Sequence, residues 1–353
     1  MPQIFELFGY ELSNTSQDAQ RHRQETRCPF MGTDCDGGGN RYLSRINLAN
    51  LPNLQANYPN RLTIPAGVCS IQMRDPWIVC PRRLLSFNSQ YHYNVLKRLY
   101  EFLNYRSGTK LGVWPEVKVV NKSNGKRFNY TFDYVIAPVK CVDIHQTGVS
   151  QDVFVNAGYR VKNGCVEDFV DLQTQAGQQG KAIAGLAIIE IMTTSTSGGN
   201  KQAQSSINQA CAQALAGQNH QAPSINKRQV IGRMLSQFFA KSAVAKQWGG
   251  HAVWVIQEPL ANYISSSTAL NISTGNQAFR SNLNDVNMAI VSYDSSQQNQ
   301  TPKQLALSRF VTGQLLTYNP TAFENILLAP FCPNIVILIE ALAKQKPKIV
   351  PVP

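Results

Sequence analysis

The stretch "RFNYTFDYVIA" at 127–137 alternates aromatic and polar side chains, and that period of two constrains the fold more than any other feature. Phe128, Tyr130, Phe132 and Tyr134 fall on one face of an extended chain, with Asn129, Thr131 and Asp133 on the other. "PEVKVV" precedes it, and "NKSNGK" between them carries Asn124-Gly125, a pair suited to a tight turn. The two segments are expected to form a hairpin with a packed aromatic face and Asp133 on its polar face.

Other segments supply partners for that hairpin. Residues 92–104 show helical spacing. Residues 224–247 form the clearest helix, with Val230, Ile231, Met234, Leu235, Phe238 and Phe239 on one stripe and Ser224 as N-cap. "HAVWVIQEPL" reads as a strand ending before Pro259, and 168–174 as another. "GKAIAGLAIIEIM" reads as a buried helix or a strand, with helix preferred at its start. Residues 1–12 read as a short amphipathic helix and 202–216 as a helix ending at Gly217. The final segments "VNMAIVSY", "FENILLA" and "IVILIEALA" are apolar runs between polar loops. The predicted fold is α/β, a mixed central sheet flanked by helices with an irregular N-terminal module. The expected divisions are 1–90 for the module, 91–262 for the core and 263–353 for a C-terminal α/β extension serving DNA recognition or dimerisation.

Charge narrows the partner. Lys and Arg number 33 against 21 Asp and Glu, a net charge of +12 on a chain only 15% charged. Such a balance favours a polyanion, with nucleic acid as the usual one. No apolar run of 18 or more residues exists and the N-terminus has no signal-peptide pattern, so a cytoplasmic protein without membrane contact is expected.

Of eight cysteines, Cys28, Cys35, Cys69 and Cys80 cluster early. Their spacing is wider than that of common zinc fingers. Cys28 and Cys80 each precede proline, and Cys35 adjoins "DGGGN", as in the knuckle turns that bring N–H groups to a thiolate. A region this poor in regular elements needs something to hold it. A tetrathiolate site for zinc or iron is expected; four free thiols are the alternative. Cys141, Cys165, Cys211 and Cys332 read as small buried hydrophobes.

Hydrolysis of a phosphodiester calls for Mg²⁺, which takes carboxylate oxygens. Asp133, with Asp171 and Gln173 at i and i+2 of a neighbouring strand, supplies that pattern, although an acid-x-Gln alone is common. Nucleases of this kind generally carry lysine where Gln173 stands; Lys181 and Lys201 are stand-ins. Glu190 in "AIIEIMTT" is the lower-ranked second acid, because its i+2 residue is Met192.

Several segments taken in order resemble the NotI-like family of type II restriction endonucleases, in the PD-(D/E)xK nuclease superfamily. These are "FELFGYEL", "CPF", "GVC", "VCPRRLL", "YTFDYVIA", "FVDLQTQ", "NKRQVIGRMLSQFFA" and "HAVWVIQEPL"; the likeness fades after about residue 262. The resemblance implies a restriction-endonuclease-like core, a four-cysteine module holding zinc or iron, and Mg²⁺-dependent cleavage of double-stranded DNA. By position it makes Asp133 and Asp171 metal ligands, Gln173 the group in the lysine position, and Glu116 a supporting acid. An Asp where the family has Glu, and a long 134–170 stretch, are departures. Phosphate contacts are expected from Arg82, Arg83, Lys227, Arg228, Arg233 and Lys241. A palindromic site implies a homodimer, and a bacterial enzyme of this class implies a methyltransferase as genetic rather than physical partner. The competing reading is a non-catalytic DNA-binding protein with a degenerate nuclease core; a repair or structure-specific nuclease is a third.

Overall fold

A computed structural model of the chain describes residues 1–37, 45–49, 51–123, 126–174, 181–194, 196, 207–267, 286–294, 302–313 and 332–353. Asn124-Gly125, Lys201 and the apolar segment 323–329 lie outside these residues.

The N-terminal region is built from short pieces: β1 (Gln3–Leu7), β2 (Tyr10–Glu11), α1 (Gln17–Glu25), β3 (Arg27–Cys28), β4 (Thr33–Asp34), β5 (Arg45–Asn47), α2 (Pro52–Gln55), β6 (Thr63–Pro65), β7 (Val68–Gln72), β8 (Pro76–Ile78) and α3 (Pro81–Leu84). The helix expected at 1–12 is instead a hairpin, Leu7 opposite Tyr10. Gly9 turns it at φ +84°, where an added Cβ would lie 2.3 Å from Pro29. Strands β2, β1, β7 and β8 form one sheet, in that order. Ile4, Leu7, Ile46, Leu54, Ile64 and Ile71 close its core together with Ala210 and Cys211. The helix carrying those last two, from the middle of the chain, therefore packs on this module rather than on the main sheet.

After a 3₁₀ turn come α4 (Tyr93–Phe102), β9 (Lys110–Ser123), β10 (Lys126–Asp143), α5 (Ile144–Thr147), α6 (Gln151–Asn156), β11 (Val161–Lys162), β12 (Cys165–Val170), β13 (Leu172–Thr174), β14 (Lys181–Ile183) and β15 (Ala187–Met192). The chain continues as α7 (Ile207–Leu215), α8 (Lys227–Gln247), β16 (His251–Gln257), α9 (Glu258–Ser267), β17 (Val286–Tyr293), β18 (Leu305–Gly313), α10 (Ile335–Ala343) and β19 (Lys348–Pro351). Asn226 rather than Ser224 caps α8, its side chain accepting from the Gln229 N–H at 3.1 Å.

Among the described residues, nine strands form one mixed sheet. Its main path is β11-β12-β10-β15-β16-β17-β18, with β9 on β10 and β19 on β9. β15, β16 and β17 run parallel, and the other pairings are antiparallel. The fold is thus mixed α/β with helices on both faces, and the last 90 residues add strands to the same sheet. The segment 180–192, expected to start as a helix, instead gives strand β14 and then β15, a strand buried at all six positions. Strands covered on both faces read as continuous apolar runs, which is why period alone did not separate the two outcomes.

The hairpin's aromatic stripe does not stay on one face. Phe128 and Phe132 pack with Trp248 and Leu338, whereas Tyr134 and Ile136 pack with Phe87 and Leu99 on the opposite side; Val135 and Ala137 take over the first side. β9 reverses at the same height: Val117 and Trp114 share the first core, Val113 and Leu111 the second. Register is kept across the reversal, from Phe132↔Val117 to Tyr134↔Pro115. Glu116, at φ +49°, sits at the switch opposite Asp133. A left-handed residue rotates its strand locally, and the paired strand follows to preserve the ladder.

Cys141 and Cys165 are not separate buried hydrophobes. They lie on adjacent strands, joined as a disulfide with Cα atoms 5.8 Å apart, and Cys141 is exposed.

A buried ion pair within the module meets the main sheet at Tyr293 of β17. Arg83 and Glu6 are both fully buried, with Nε to Oε2 at 2.9 Å and Nη2 to Oε1 at 3.0 Å. The Tyr293 and Ser70 hydroxyls each donate to Glu6 Oε2 at 2.8 Å. Removing one partner of such a pair strands the other charge in the interior. Arg83→Met should cost about 3–5 kcal/mol in urea unfolding. A loss under about 1 kcal/mol would show that the pair is not a structural joint.

Candidate active site and cysteine cluster

Asp133 stands on β10 beside β15, the strand carrying Glu190. Their register, Tyr134↔Ile189 and Val135↔Ile188, brings Asp133 level with Glu190 and Ile191. Asp133 Oδ2 accepts the Ile191 N–H at 2.8 Å. Glu190 alternates with Ile188 and Met192 toward the α8 face and is only 2% exposed. There it meets Lys241, from a segment of α8 buried at every position from 240 to 245. Lys241 Nζ lies 2.5 Å from Glu190 Oε2 and donates to the Thr131 carbonyl at 2.8 Å.

Burial pushes the Glu190 carboxyl up to about 8; Lys241 draws it down and the neighbouring Asp133 charge raises it. Glu190 Oε1 is buried and has no hydrogen-bond partner among the described residues. A buried, unpaired carboxylate oxygen beside a second carboxylate is costly unless a cation or a proton occupies the space between.

Asp171 and Gln173 are placed elsewhere. Asp171 breaks the chain between β12 and β13, its N–H donating to the Pro138 carbonyl at 3.0 Å and its carbonyl accepting from Ala184 at 2.8 Å. Pro138 is five residues beyond Asp133 on β10, about 16 Å at about 3.3 Å per residue. Asp171 Oδ1 pairs with Lys140 at 2.5 Å. Gln173 is exposed on the separate β13–β14 ribbon, opposite Ala182. The single strand expected at 168–174 is interrupted at Asp171, between β12 and β13. Lys181 lies on β14 of the same ribbon, opposite Thr174.

Glu116 borders the site from β9. Arg82 Nη2 donates to its Oε1 at 3.2 Å and Arg82 Nη1 to the Tyr134 hydroxyl at 3.2 Å; Arg82 Nε is 3.9 Å from Asp36. Of the expected phosphate-binding cations, Arg228 and Arg233 are exposed on α8. Lys227 Nζ lies over the Trp77 and Tyr263 rings at 4.9 and 5.0 Å. Arg83 and Lys241 are buried in ion pairs, so neither can reach a phosphate at the surface. Sequence reasoning missed the part Lys241 plays beside Glu190. Nothing local signals it, since 51 residues separate the two.

The early cysteines converge. Cys28, Cys69 and Cys80 are buried in one cluster with Phe30, and Cys35 packs against it. Backbone N–H groups point at the sulfurs: Gly9 to Cys69 at 3.2 Å, Phe30 and Met31 to Cys28, Gly37 to Cys35, and Arg82 and Arg83 to Cys80. Burial and the Cys80 sulfur push the Cys28 thiol up to about 12, and burial raises Cys35 as well. A hydrogen bond shared by Cys69 and Cys80 holds the first up and the second down. No group of three or more His, Cys, Asp or Glu is drawn up at metal-ligand geometry among the described residues. The donors nonetheless suit thiolates, and thiolates crowded without a cation would repel one another.

No family model matches the chain, and no curated protein matches it significantly. No helix among the described residues is long and apolar enough to cross a membrane.

Lys241 is the cation that lowers Glu190. In Lys241→Met, the Glu190 carboxyl should titrate above 8, read by carboxyl carbon NMR. A midpoint that stays or falls would remove Lys241 from the site.

Proposed function

We propose that the protein is a site-specific, Mg²⁺-dependent endonuclease of double-stranded DNA, with a restriction-endonuclease-like core. The observation that carries this reading is Asp133 level with Glu190 on adjacent strands, with Glu190 Oε1 buried and unpartnered among the described residues and Lys241 on its other oxygen. The order of family-like segments along the chain and the net charge of +12 support it. In this reading Glu190, not Asp171, is the second acid, and Gln173 has no part in the chemistry.

The chain's own groups would do the following. Asp133 and Glu190 Oε1 offer hard oxygens to one divalent cation. Bound there, Mg²⁺ would polarise the scissile phosphate and lower the pKa of water. Lys241 acts through Glu190, favouring its ionised, ligating form. Glu116, held by Arg82, adds negative charge at the mouth of the site. The four cysteines would hold one zinc or iron ion. Its place is structural, because the N–H donors to Cys80 belong to Arg82 and Arg83, which anchor to the site and to the sheet. A palindromic target calls for a homodimer, with a methyltransferase as genetic partner. The competing reading, a DNA-binding protein with a degenerate core, draws on one observation: Lys241 already neutralises Glu190.

Long unmethylated DNA incubated with Mg²⁺ should yield discrete fragments, whereas sequence-selective binding without cleavage would establish the competing reading. Asp133→Asn and Glu190→Gln should each lower cleavage at least 10²-fold while binding in Ca²⁺ persists, and Asp171→Asn should cut normally. The reverse order for Glu190 and Asp171 would overturn the assignment. The ligating form of Glu190 is the deprotonated one, and its carboxyl lies near 8. Cleavage at limiting Mg²⁺ should therefore rise with pH up to about 8, and a flat profile from pH 6 to 9 would count against Glu190. Metal analysis should give one zinc or iron per chain, lost in Cys80→Ser; a metal-free, fully active protein would sink the module's role.

A further inference from the structure

The outer half of the β9–β10 ribbon carries cations that neither the site nor the core uses. Beyond the face switch at Glu116 and Asp133, one face of the ribbon packs as Val117, Val119, Phe128 and Phe132. The other face is open. Its register pairs are Lys118↔Thr131, Val120↔Asn129 and Lys122↔Arg127. Lys118, Lys122 and Arg127 are exposed, and Val120 between them is 45% exposed. No ion pair engages these three cations among the described residues. The sequence from 117 to 132 contains no acid. The charge thus runs one way along the ribbon: two carboxylates at its base and uncompensated cations outward on a single face.

A sheet face covered by nothing normally alternates charge sign to stay soluble. This one keeps a single sign beside an acid pair. We infer that the outer β9–β10 ribbon is a docking surface for the phosphate backbone of duplex DNA, with Lys118, Lys122 and Arg127 as the phosphate contacts that guide a strand toward the carboxylates at its base, Glu116 and Asp133. The geometry suits the partner. A two-stranded ribbon fits a B-DNA major groove about 12 Å wide. Lys118 and Lys122, four residues apart on one strand, span about 13 Å, so they would meet different phosphates. The contacts are to the backbone and carry no sequence information. This inference rests on the nuclease reading only for the direction of approach; duplex binding by the ribbon stands separately.

The test is a salt series of duplex binding in Ca²⁺, comparing wild type with the triple variant Lys118→Gln/Lys122→Gln/Arg127→Gln. Each phosphate contact contributes about 0.9 to the slope of log K against log salt. The variant's slope should fall by about 2–3, and its affinity at 0.1 M salt by roughly 10²-fold or more. The variant Lys118→Arg/Lys122→Arg keeps the charge and should bind as wild type does, which separates lost contacts from misfolding. Matched thermal midpoints complete that control. An unchanged slope in the triple variant overturns the proposal. So does a wild type that ignores duplex DNA, or one whose ribbon cations bind phosphatidylserine vesicles instead. A wild type that never cuts but loses its salt slope in the triple variant keeps the ribbon assignment and removes the nuclease reading. One that cuts with an unchanged slope does the opposite.

Discussion

The buried ion pair between Glu6 and Arg83 is the constraint on which the remaining arrangement depends. It joins β1 of the cysteine module to the turn after Cys80, and Tyr293 on β17 shares the same carboxylate. Two charges taken fully out of water are tolerable only if their hydrogen bonds are met, and Glu6 accepts from Arg83, Ser70 and Tyr293. Arg83 also lies over the Phe30 and Tyr293 rings, at 5.0 and 4.9 Å. One residue earlier, Arg82 reaches Glu116 at the face switch and Tyr134 just inward of it. Consecutive residues of one short turn therefore anchor the cysteine cluster to the sheet and border the acid site. Whatever holds Cys80 fixes both.

The acid site depends on a second constraint, the reversal of faces at Glu116 and Asp133. On a regular strand, Asp133 would lie in line with the exposed Asn129 and Arg127. The left-handed residue opposite it turns the ladder at that height, and Asp133 reaches the Ile191 N–H across the sheet. Inward of the switch the hairpin is buried on both faces; outward of it one face is open. The same kink that positions a carboxylate beside Glu190 creates the exposed ribbon.

Much of this frame was legible in the sequence. The alternation at 127–137 placed the hairpin, the stripe of α8 placed the longest helix, and "HAVWVIQ" placed a central strand. The cysteines that belong together were separable from the others by their proline and glycine neighbours. Two kinds of information were absent. Burial on both faces erases the period that tells strand from helix, so "AIIEIM" hid both its own conformation and the exposure of its glutamate. Non-local pairing erases spacing, so nothing local in the sequence set Glu190 beside Asp133 and Lys241. The rule applied to Asp171 and Gln173 assumes one strand across 168–174, where the strand is interrupted at Asp171.

The choice of lysine follows from the same geometry. A lysine two residues after Glu190 would occupy position 192, where Met192 packs among Trp254, Ile256 and Leu260. A cation there would be enclosed by apolar groups with no acceptor for its remaining protons. Lys241 enters from α8 and finds two acceptors, the Glu190 carboxylate and the Thr131 carbonyl. Thr131 lies on β10 just outward of the β15 pairing, where a strand edge leaves carbonyls without ladder partners. The helix lysine thus satisfies an edge group that a strand lysine could not reach. The residue that balances the charge of Glu190 also closes the end of the ladder beside it.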